Sequence, residues 1–177
     1  MNQLYSFLSR VERGRLKVAP WTSKSTWPEG RSPYKVIMIS AFIRGIHAAK
    51  AFKNGLVTPA EITPFFKEVA EIVMPESEVS DGMIVQPFWR LGAGQPKIWN
   101  LIPAEGAGDV LIAAILDRRN VRTLPELSRF VCCAELSTPD YELLSDPLGA
   151  RAVARFLAGE YLDDHDLSRE YLRLVAP

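Results

Sequence analysis

The side chains that could perform acid–base or metal chemistry are few. The sequence has two histidines, His47 and His165, and two cysteines, Cys132 and Cys133, which are adjacent in a stretch that we interpret as apolar helical core. The aspartates around His165 are consecutive and do not converge on one ion, so we interpret this segment as a solvated helix start. Because the sequence has no zinc-ligand spacing, nucleophile elbow or phosphate-binding loop, we predict no catalytic residue, no metal and no cofactor.

The charged side chains are unevenly distributed along a chain whose net charge is zero. The first 53 residues contain ten basic and two acidic side chains, whereas the remaining 124 contain eleven basic and nineteen acidic ones. An excess of one sign over roughly a third of the chain favours a surface that faces a polyanion, although a charged run is more often only a solvated face.

Length and periodicity indicate how these residues are positioned. With 177 residues, 47% of them apolar, the chain is typical of one globular domain, residues 1–177. Helical spacing predicts about six to eight helices: one in an N-terminal helix-and-loop segment (1–30), a strongly apolar one at 33–53, further helices including one at 124–135, and a last one within 163–177. No apolar run approaches the ~20 residues of a membrane helix, and no secretory signal precedes the domain, so we expect a cytoplasmic protein without a membrane partner.

The stretch "VQPFWRLGAGQPKIWNLIP" interrupts the helical pattern. Two apolar runs flank a Gly- and Pro-containing turn, which predicts a small antiparallel β-hairpin at about 83–102. The expected fold class is therefore α+β, mainly α-helical. We assign Trp89 and Trp99 to the core, and Gln86 and Pro87 to the surface.

Several segments occur in an order that is familiar from one protein family. They are "SPYKVIMISAFIRG", "QPFWRL", "IWNL" and "RTLPELSRFVCCAELSTPDYELLSDPLGARAVARFLAGEYL". Together they resemble the sulfur-binding domain of phosphorothioate-dependent restriction endonucleases of the McrA/HNH kind, over about residues 31–162.

The resemblance implies a module that docks on double-stranded DNA in which one non-bridging phosphate oxygen is replaced by sulfur. It implies DNA contacts at the start of the apolar helix and in the loop before a later helix, and a sulfur cavity in the hairpin. The DNA contacts would be Arg31, Tyr34, Lys35, Arg118, Arg119 and Arg122, and the cavity residues Gln86 and Pro87.

The chain departs from the family pattern in two ways. Gln86 stands where the family often has Tyr, which makes the expected cavity less apolar. The HNH nuclease half is absent, so the resemblance implies a recognition module that belongs to a longer enzyme or acts beside a separate effector.

Two other functions remain open from the residues alone. The chain could read modified bases in DNA, with Trp21 or Trp27 stacking on a flipped base. It could instead be a protein–protein interaction domain that does not bind DNA.

Overall fold

The computed structural model describes residues 2–13, 33–75, 77–162 and 164–177. These residues form nine α-helices, one short 3-10 turn and three β-strands. In chain order the elements are α1 (Gln3–Arg13), α2 (Tyr34–Ala49), the turn (Lys53–Gly55), β1 (Leu56–Val57), α3 (Pro59–Val73), α4 (Asp81–Ala93), β2 (Asn100–Pro103), α5 (Gly108–Leu116), α6 (Leu124–Ser128), β3 (Val131–Glu135), α7 (Thr138–Ser145), α8 (Pro147–Tyr161) and α9 (His165–Val175). The expected α+β, mainly α-helical class is confirmed.

Helix α2 lies at the centre of the core. Every residue from Val36 to Ile43 is buried, and the helix packs against α3, α4, α7, α8 and α9. A helix that is apolar on all sides is stable only when neighbours cover all of it, which explains this central position. Its one buried hydroxyl, Ser40, bonds the Val36 carbonyl at 2.8 Å and lies 2.6 Å from the hydroxyl of buried Tyr171. The other charged and polar residues of α2 are Tyr34 and Lys35 in its first turn and Arg44 and His47 in its C-terminal half.

The sheet has the order β1-β3-β2, and both pairs are antiparallel. Leu56 and Asn100 both pair with Glu135, on opposite sides of β3, and the β2–β3 ladder is irregular between Ile102 and Pro103. The strand β2 therefore pairs with a strand far along the chain. The predicted hairpin at 83–102 is wrong, because its first half is not a strand.

Residues 81–93 form helix α4. The buried positions Ile84, Phe88 and Leu91 are spaced by four and then three residues, which is helical spacing. A short apolar run fits a strand and a buried helix equally well by periodicity. Pro87 lies inside α4, where it removes one backbone donor and its ring crowds the carbonyl of the preceding turn.

The segment predicted as one helix over 124–135 is divided. Thr123 caps the short helix α6, with its side chain accepting from the amide of Glu126, and the chain then extends into β3. Cys132 and Cys133 consequently lie on a strand, where alternate side chains point to opposite faces. Cys132 is exposed and Cys133 partly exposed, so the assignment of both to a helical core is wrong.

Local capping sets several helix starts. Thr58 and Glu61 form a reciprocal capping box, so α3 begins at Pro59 and continues through Pro64. Asp146 caps α8 and Asp164 caps α9 through their carboxylates. None of the described helices is both long and apolar enough to cross a bilayer.

Candidate nucleic-acid interface

The residues that the resemblance singled out lie on three elements. Tyr34 and Lys35 form the first turn of α2 and are half-buried. Arg118, Arg119 and Arg122 are exposed in the loop between α5 and α6, which confirms their expected place in a loop before a later helix. Gln86 and Pro87 lie in α4, and Arg31 lies outside the described residues.

Two adjoining depressions bring some of these cations together. The smaller, of about 30 Å³, includes Lys35 in its wall, and the larger, an open cleft of about 560 Å³, includes Arg118 and Arg119. Arg90, Gly94 and Gln95 line both of them. We call this continuous surface the basic cleft and define its cations as Lys35, Arg90, Arg118 and Arg119.

The inner end of the basic cleft holds two positive charges near one another. Lys35 is half-buried, and burial lowers the pKa of its ammonium group; the positive charge of Arg90 lowers that pKa further. Among the described residues, no carboxylate forms an ion pair with Arg90. The charges of Lys35 and Arg90 are therefore close enough to interact.

Arg10 lines the same end of the cleft but is engaged elsewhere. Its guanidinium bonds the carboxylate of Asp140 at 2.5 Å and the carbonyl of Lys97 at 3.3 Å. Asp140 is 1% exposed and also accepts from Gln3 at 2.7 Å and from Ser137 at 2.7 Å. A buried carboxylate must keep its partners, so Arg10 anchors α1 to α7 and is not counted among the cations of the cleft.

Arg118 adopts an unusual backbone conformation. Its φ is 51°, in the left-handed region. The amide of Arg119 donates to the Ala114 carbonyl at 2.9 Å and that of Arg118 to the Ile115 carbonyl at 3.1 Å, which together form a Schellman motif at the end of α5. Glycine is the usual residue at this position, and any other residue costs roughly 1–2 kcal/mol. Arg118 is thus held in a strained conformation at the rim of the cleft.

Arg119 is positioned by three contacts. The indole Nε1 of Trp89 donates to the Arg119 carbonyl at 3.0 Å. The Arg119 guanidinium pairs with Glu126 at 3.0 Å and lies 5.4 Å from the centroid of the Phe130 ring. Trp89, 4% exposed, therefore fixes the loop from inside, which confirms its assignment to the core.

Pro87 does not form the exposed wall that the resemblance implied. It is buried among the inward-facing residues of α4, and Gln86 is half-buried. Neither residue lines either depression of the basic cleft. The assignment of Pro87 to the surface is wrong because it presupposed strand alternation, whereas the helical phase of α4 turns Pro87 inward with Ile84 and Phe88.

Two other expected DNA contacts lie outside the cleft lining. Tyr34 precedes Lys35 on α2, and burial raises the pKa of its phenol. Arg122 is exposed, and its backbone amide donates to the Glu126 carboxylate at 3.2 Å.

Sequence reasoning missed the role of Arg90. The residue was visible beside Trp89, but in a strand it would share the face of Gln86 and Phe88. In a helix it falls on the side opposite Phe88, at the solvent-facing end of α4. A helical interpretation of residues 81–93 would have identified it.

The other side chains that could perform acid–base or metal chemistry are the histidines and cysteines. His47 Nε2 donates to the Leu144 carbonyl at 2.8 Å. Burial, with the neighbouring thiol of Cys132 and nearby carboxylates, raises the pKa of Cys133 to about 11, so this thiol remains protonated at neutral pH. In the part of the chain that the structure describes, no three His, Cys, Asp or Glu side chains form a group that could hold a metal ion.

Those basic residues of the N-terminal third that the structure describes do not form one surface. Lys50 and Lys53 lie at the far end of α2 from Lys35, and Arg44 pairs with Glu68 at 3.0 Å. Three of the four cleft cations, Arg90, Arg118 and Arg119, come from the later, acidic part of the chain. The basic cleft is therefore assembled by the fold and not by the clustering of charge in sequence.

Comparison of the chain with protein-family models, with curated proteins and with solved structures found no significant match.

Proposed function

We propose that this protein is a recognition domain for double-stranded DNA and that the basic cleft contacts the sugar–phosphate backbone. One observation carries the proposal: α2, α4 and the α5–α6 loop each direct cations to one continuous cleft. The positive end of the α2 dipole lies at the same place as Lys35 and adds to the attraction for an anion.

The physical basis is the release of counterions from DNA. A cation that contacts a phosphate contributes about −0.9 to the slope of log K against log salt. For the four cations of the cleft, a fourfold rise in salt then weakens binding by roughly 100-fold. Such contacts supply affinity and register but carry no information about base sequence.

The finer proposal is that the preferred backbone carries a phosphorothioate. The cleft combines arginines with an apolar wall formed by Trp89, Ala93, Ile115 and Leu116. A phosphate oxygen pressed against such a wall loses hydration that it needs, at a cost of roughly 2–7 kcal/mol for an unpaired polar group. Sulfur is larger, more polarisable and less tightly hydrated, so it loses less hydration free energy at the wall and gains dispersion contacts there. The resemblance supports this proposal through the order of its motifs and not through its cavity, because the sulfur would meet the apolar wall of the cleft and not the buried Pro87.

A recognition domain of this kind serves an effector. We propose that the nuclease activity it directs belongs to an HNH-type domain or to a separate protein, and that the domain described here binds without cleaving.

The DNA proposal is tested by fluorescence anisotropy with one unmodified duplex at several salt concentrations. We expect a steep salt dependence for the native chain, and slopes smaller by about 1 for Lys35→Ala and for Arg90→Ala. Lys50→Ala is the matched control, because it removes a lysine from the other end of the same helix. A flat salt response, or equal losses in all three variants, would show that the cleft does not bind DNA.

The sulfur proposal is tested with duplexes of the same sequence that carry one phosphorothioate of defined configuration. The two configurations direct sulfur to opposite sides of the backbone, so a fixed cleft should favour one of them over both the other and plain DNA. Equal affinity for all three duplexes would remove the sulfur preference and leave the DNA proposal standing.

A further inference from the structure

The two adjacent cysteines lie on β3, the central strand of the sheet, outside the basic cleft. Cys132 and Cys133 are free thiols, and neither lines either depression of the cleft. Cys132 is exposed and Cys133 is partly exposed, so solvent reaches both residues. Two neighbouring thiols can hold one ligand between them only if their side chains point to the same side of the strand.

The pairing of β3 with β2 is irregular at these residues. Ile102 pairs with Cys133, and the next residue, Pro103, pairs with Val131, so Cys132 is an extra residue that has no partner on β2. Two residues of one strand that oppose a single step of its neighbour form a β-bulge. Regular alternation, which would direct adjacent side chains to opposite faces, is therefore interrupted at Cys132.

The burial pattern of β3 shows the same interruption. Val131 and Ala134 are both buried, although they are three residues apart and would point to opposite faces of a regular strand. The two cysteines between them are both accessible. Val131 and Ala134 thus face the core, and Cys132 and Cys133 lie together on the more accessible side.

The two thiols interact with one another. Burial is the main cause of the raised pKa of Cys133, and the charge of Cys132 and a hydrogen bond with its side chain are the next causes. A hydrogen bond between these adjacent side chains requires that both point to the same side. The pairing, the burial pattern and this contact therefore agree that the bulge forms a pair of neighbouring thiols.

The surroundings of the pair favour a neutral ligand. The carboxylates of Glu135 and Glu61 also raise the pKa of Cys133, so they repel anions from this site. Among the described residues, no three His, Cys, Asp or Glu side chains form a group that could hold a metal ion. The site thus offers two sulfur atoms and no third ligand of these types.

We propose that Cys132 and Cys133 bind trivalent arsenic that carries one further substituent, a hydroxyl or an aryl group. Two arsenic–oxygen bonds break and two arsenic–sulfur bonds form, and each thiol proton leaves with a hydroxyl group as water. Arsenic stays trivalent, so the reaction needs no oxidant or reductant. The product is neutral, so the nearby carboxylates do not oppose it.

Adjacency of the thiols makes the binding strong. Once one sulfur has bound, the second bond forms within the same chain, and such an intramolecular step strengthens binding by roughly 10²–10⁴ over a single thiol. The proposal does not depend on DNA binding, because its residues lie outside the basic cleft.

The test uses phenylarsine oxide and the whole chain, followed by thiol titration and intact-mass spectrometry. One equivalent should remove both titratable thiols and add one phenylarsenic group in place of two hydrogen atoms. The dithiol 2,3-dimercaptopropanol should release it, whereas excess glutathione, a monothiol, should not. An unchanged thiol count, or release by glutathione, would overturn the proposal.

Variants separate a pair of thiols from two independent ones. Cys132→Ser and Cys133→Ser should each weaken binding by roughly 100-fold or more. The matched control combines Cys132→Ser with Leu148→Cys, which restores a second thiol at a 73% exposed position on α8, a helix that packs against α1, α2, α7 and α9. The control should bind as weakly as Cys132→Ser alone. Unchanged affinity in either single variant, or native affinity in the control, would contradict a paired site.

Thermal unfolding tests whether the fold presents the pair. Adjacent cysteines of an unfolded chain can also bind arsenic, and a ligand raises Tm only if it binds the folded chain more tightly. Phenylarsine oxide should therefore raise the Tm of the native chain and leave that of Cys132→Ser unchanged. A fall in Tm would show that the folded strand holds the thiols apart. An adduct with twice the 19.8 kDa mass of one chain would also refute the proposal, since the two sulfurs would then come from different molecules.

Discussion

Replacing Arg118 with glycine should stabilise the fold and weaken DNA binding at the same time. Arg118 occupies the left-handed position of the Schellman motif that ends α5, with φ of 51°. Its side chain also lines the basic cleft. Glycine adopts this conformation without the steric penalty of a Cβ atom.

The magnitude follows from two opposing terms. Relief of the left-handed strain is worth roughly 1–2 kcal/mol. The greater freedom of glycine in the unfolded chain offsets roughly 0.4–1 kcal/mol of that gain. The net increase in the free energy of unfolding is about 0.5–1 kcal/mol, which raises Tm by about 1–4 °C for a domain of this size. Loss of one charge-assisted phosphate contact should weaken DNA binding by roughly tenfold and reduce the salt slope by about 1.

Thermal unfolding followed by circular dichroism and DNA binding by anisotropy measure the two effects on the same samples. Lys50→Gly is the matched control. Lys50 has φ of 49° and ψ of 34° at the end of α2, about 22 Å along the helix from Lys35. It should give a similar rise in Tm without any change in DNA affinity. Arg118→Lys should retain both the strain and most of the affinity.

Two results would refute the reasoning. If Arg118→Gly lowers Tm while Lys50→Gly raises it, the left-handed conformation of Arg118 is not the source of strain. If Arg118→Gly binds DNA with unchanged affinity and salt slope, Arg118 does not contact the backbone.

The other predictions concern the core and the outer rim of the cleft. Trp99→Ala should lower the free energy of unfolding, measured by urea titration, by roughly 3–5 kcal/mol. The substitution empties a buried site that is 2% exposed and removes the hydrogen bond from the indole Nε1 to the Phe88 carbonyl. A change below about 1 kcal/mol would show that Trp99 is not a core residue. Glu126→Gln should strengthen binding to plain DNA by about two- to fivefold, since it removes the carboxylate that pairs with Arg119, and unchanged affinity would place Arg119 away from the DNA. The Arg122 amide, with the Arg119 guanidinium, lowers the pKa of Glu126. The ionised Glu126 side chain therefore stabilises the fold above the pKa of an unfolded glutamate, and this stabilisation is lost as pH falls through the pKa of Glu126 in the folded protein. The difference in Tm between the native chain and Glu126→Gln should therefore shrink in acid.

The α+β, mainly α-helical class could be predicted from the sequence because long helices have strong local patterns. The apolar helix at 33–53 and the C-terminal helix are present as α2 and α9, and Trp89 and Trp99 are buried as expected. The short apolar runs could not be assigned in this way. Residues 85–91 became helix and residues 131–135 became strand, because four to seven apolar residues satisfy either periodicity and only their neighbours in space decide.

The candidate site shows the same division. Lys35, Arg118 and Arg119 could be selected from the sequence, through a resemblance that fixed their order along the chain. The convergence of these side chains around Arg90 could not be predicted from the sequence. It depends on the packing of α2 against α4 and on the Trp89 indole, which holds the loop that contains Arg119.

By itself, the sequence determined what depends on near neighbours along the chain: the apolar helix α2, the helix start around His165, and the number and type of the cations. Caps and periodicity act over three or four residues, so they can be recognised without the fold. The tertiary structure alone decided that Pro87 is buried and that the cleft cations converge. Burial and charge proximity are set by contacts between residues distant in sequence, and no local pattern encodes those distances.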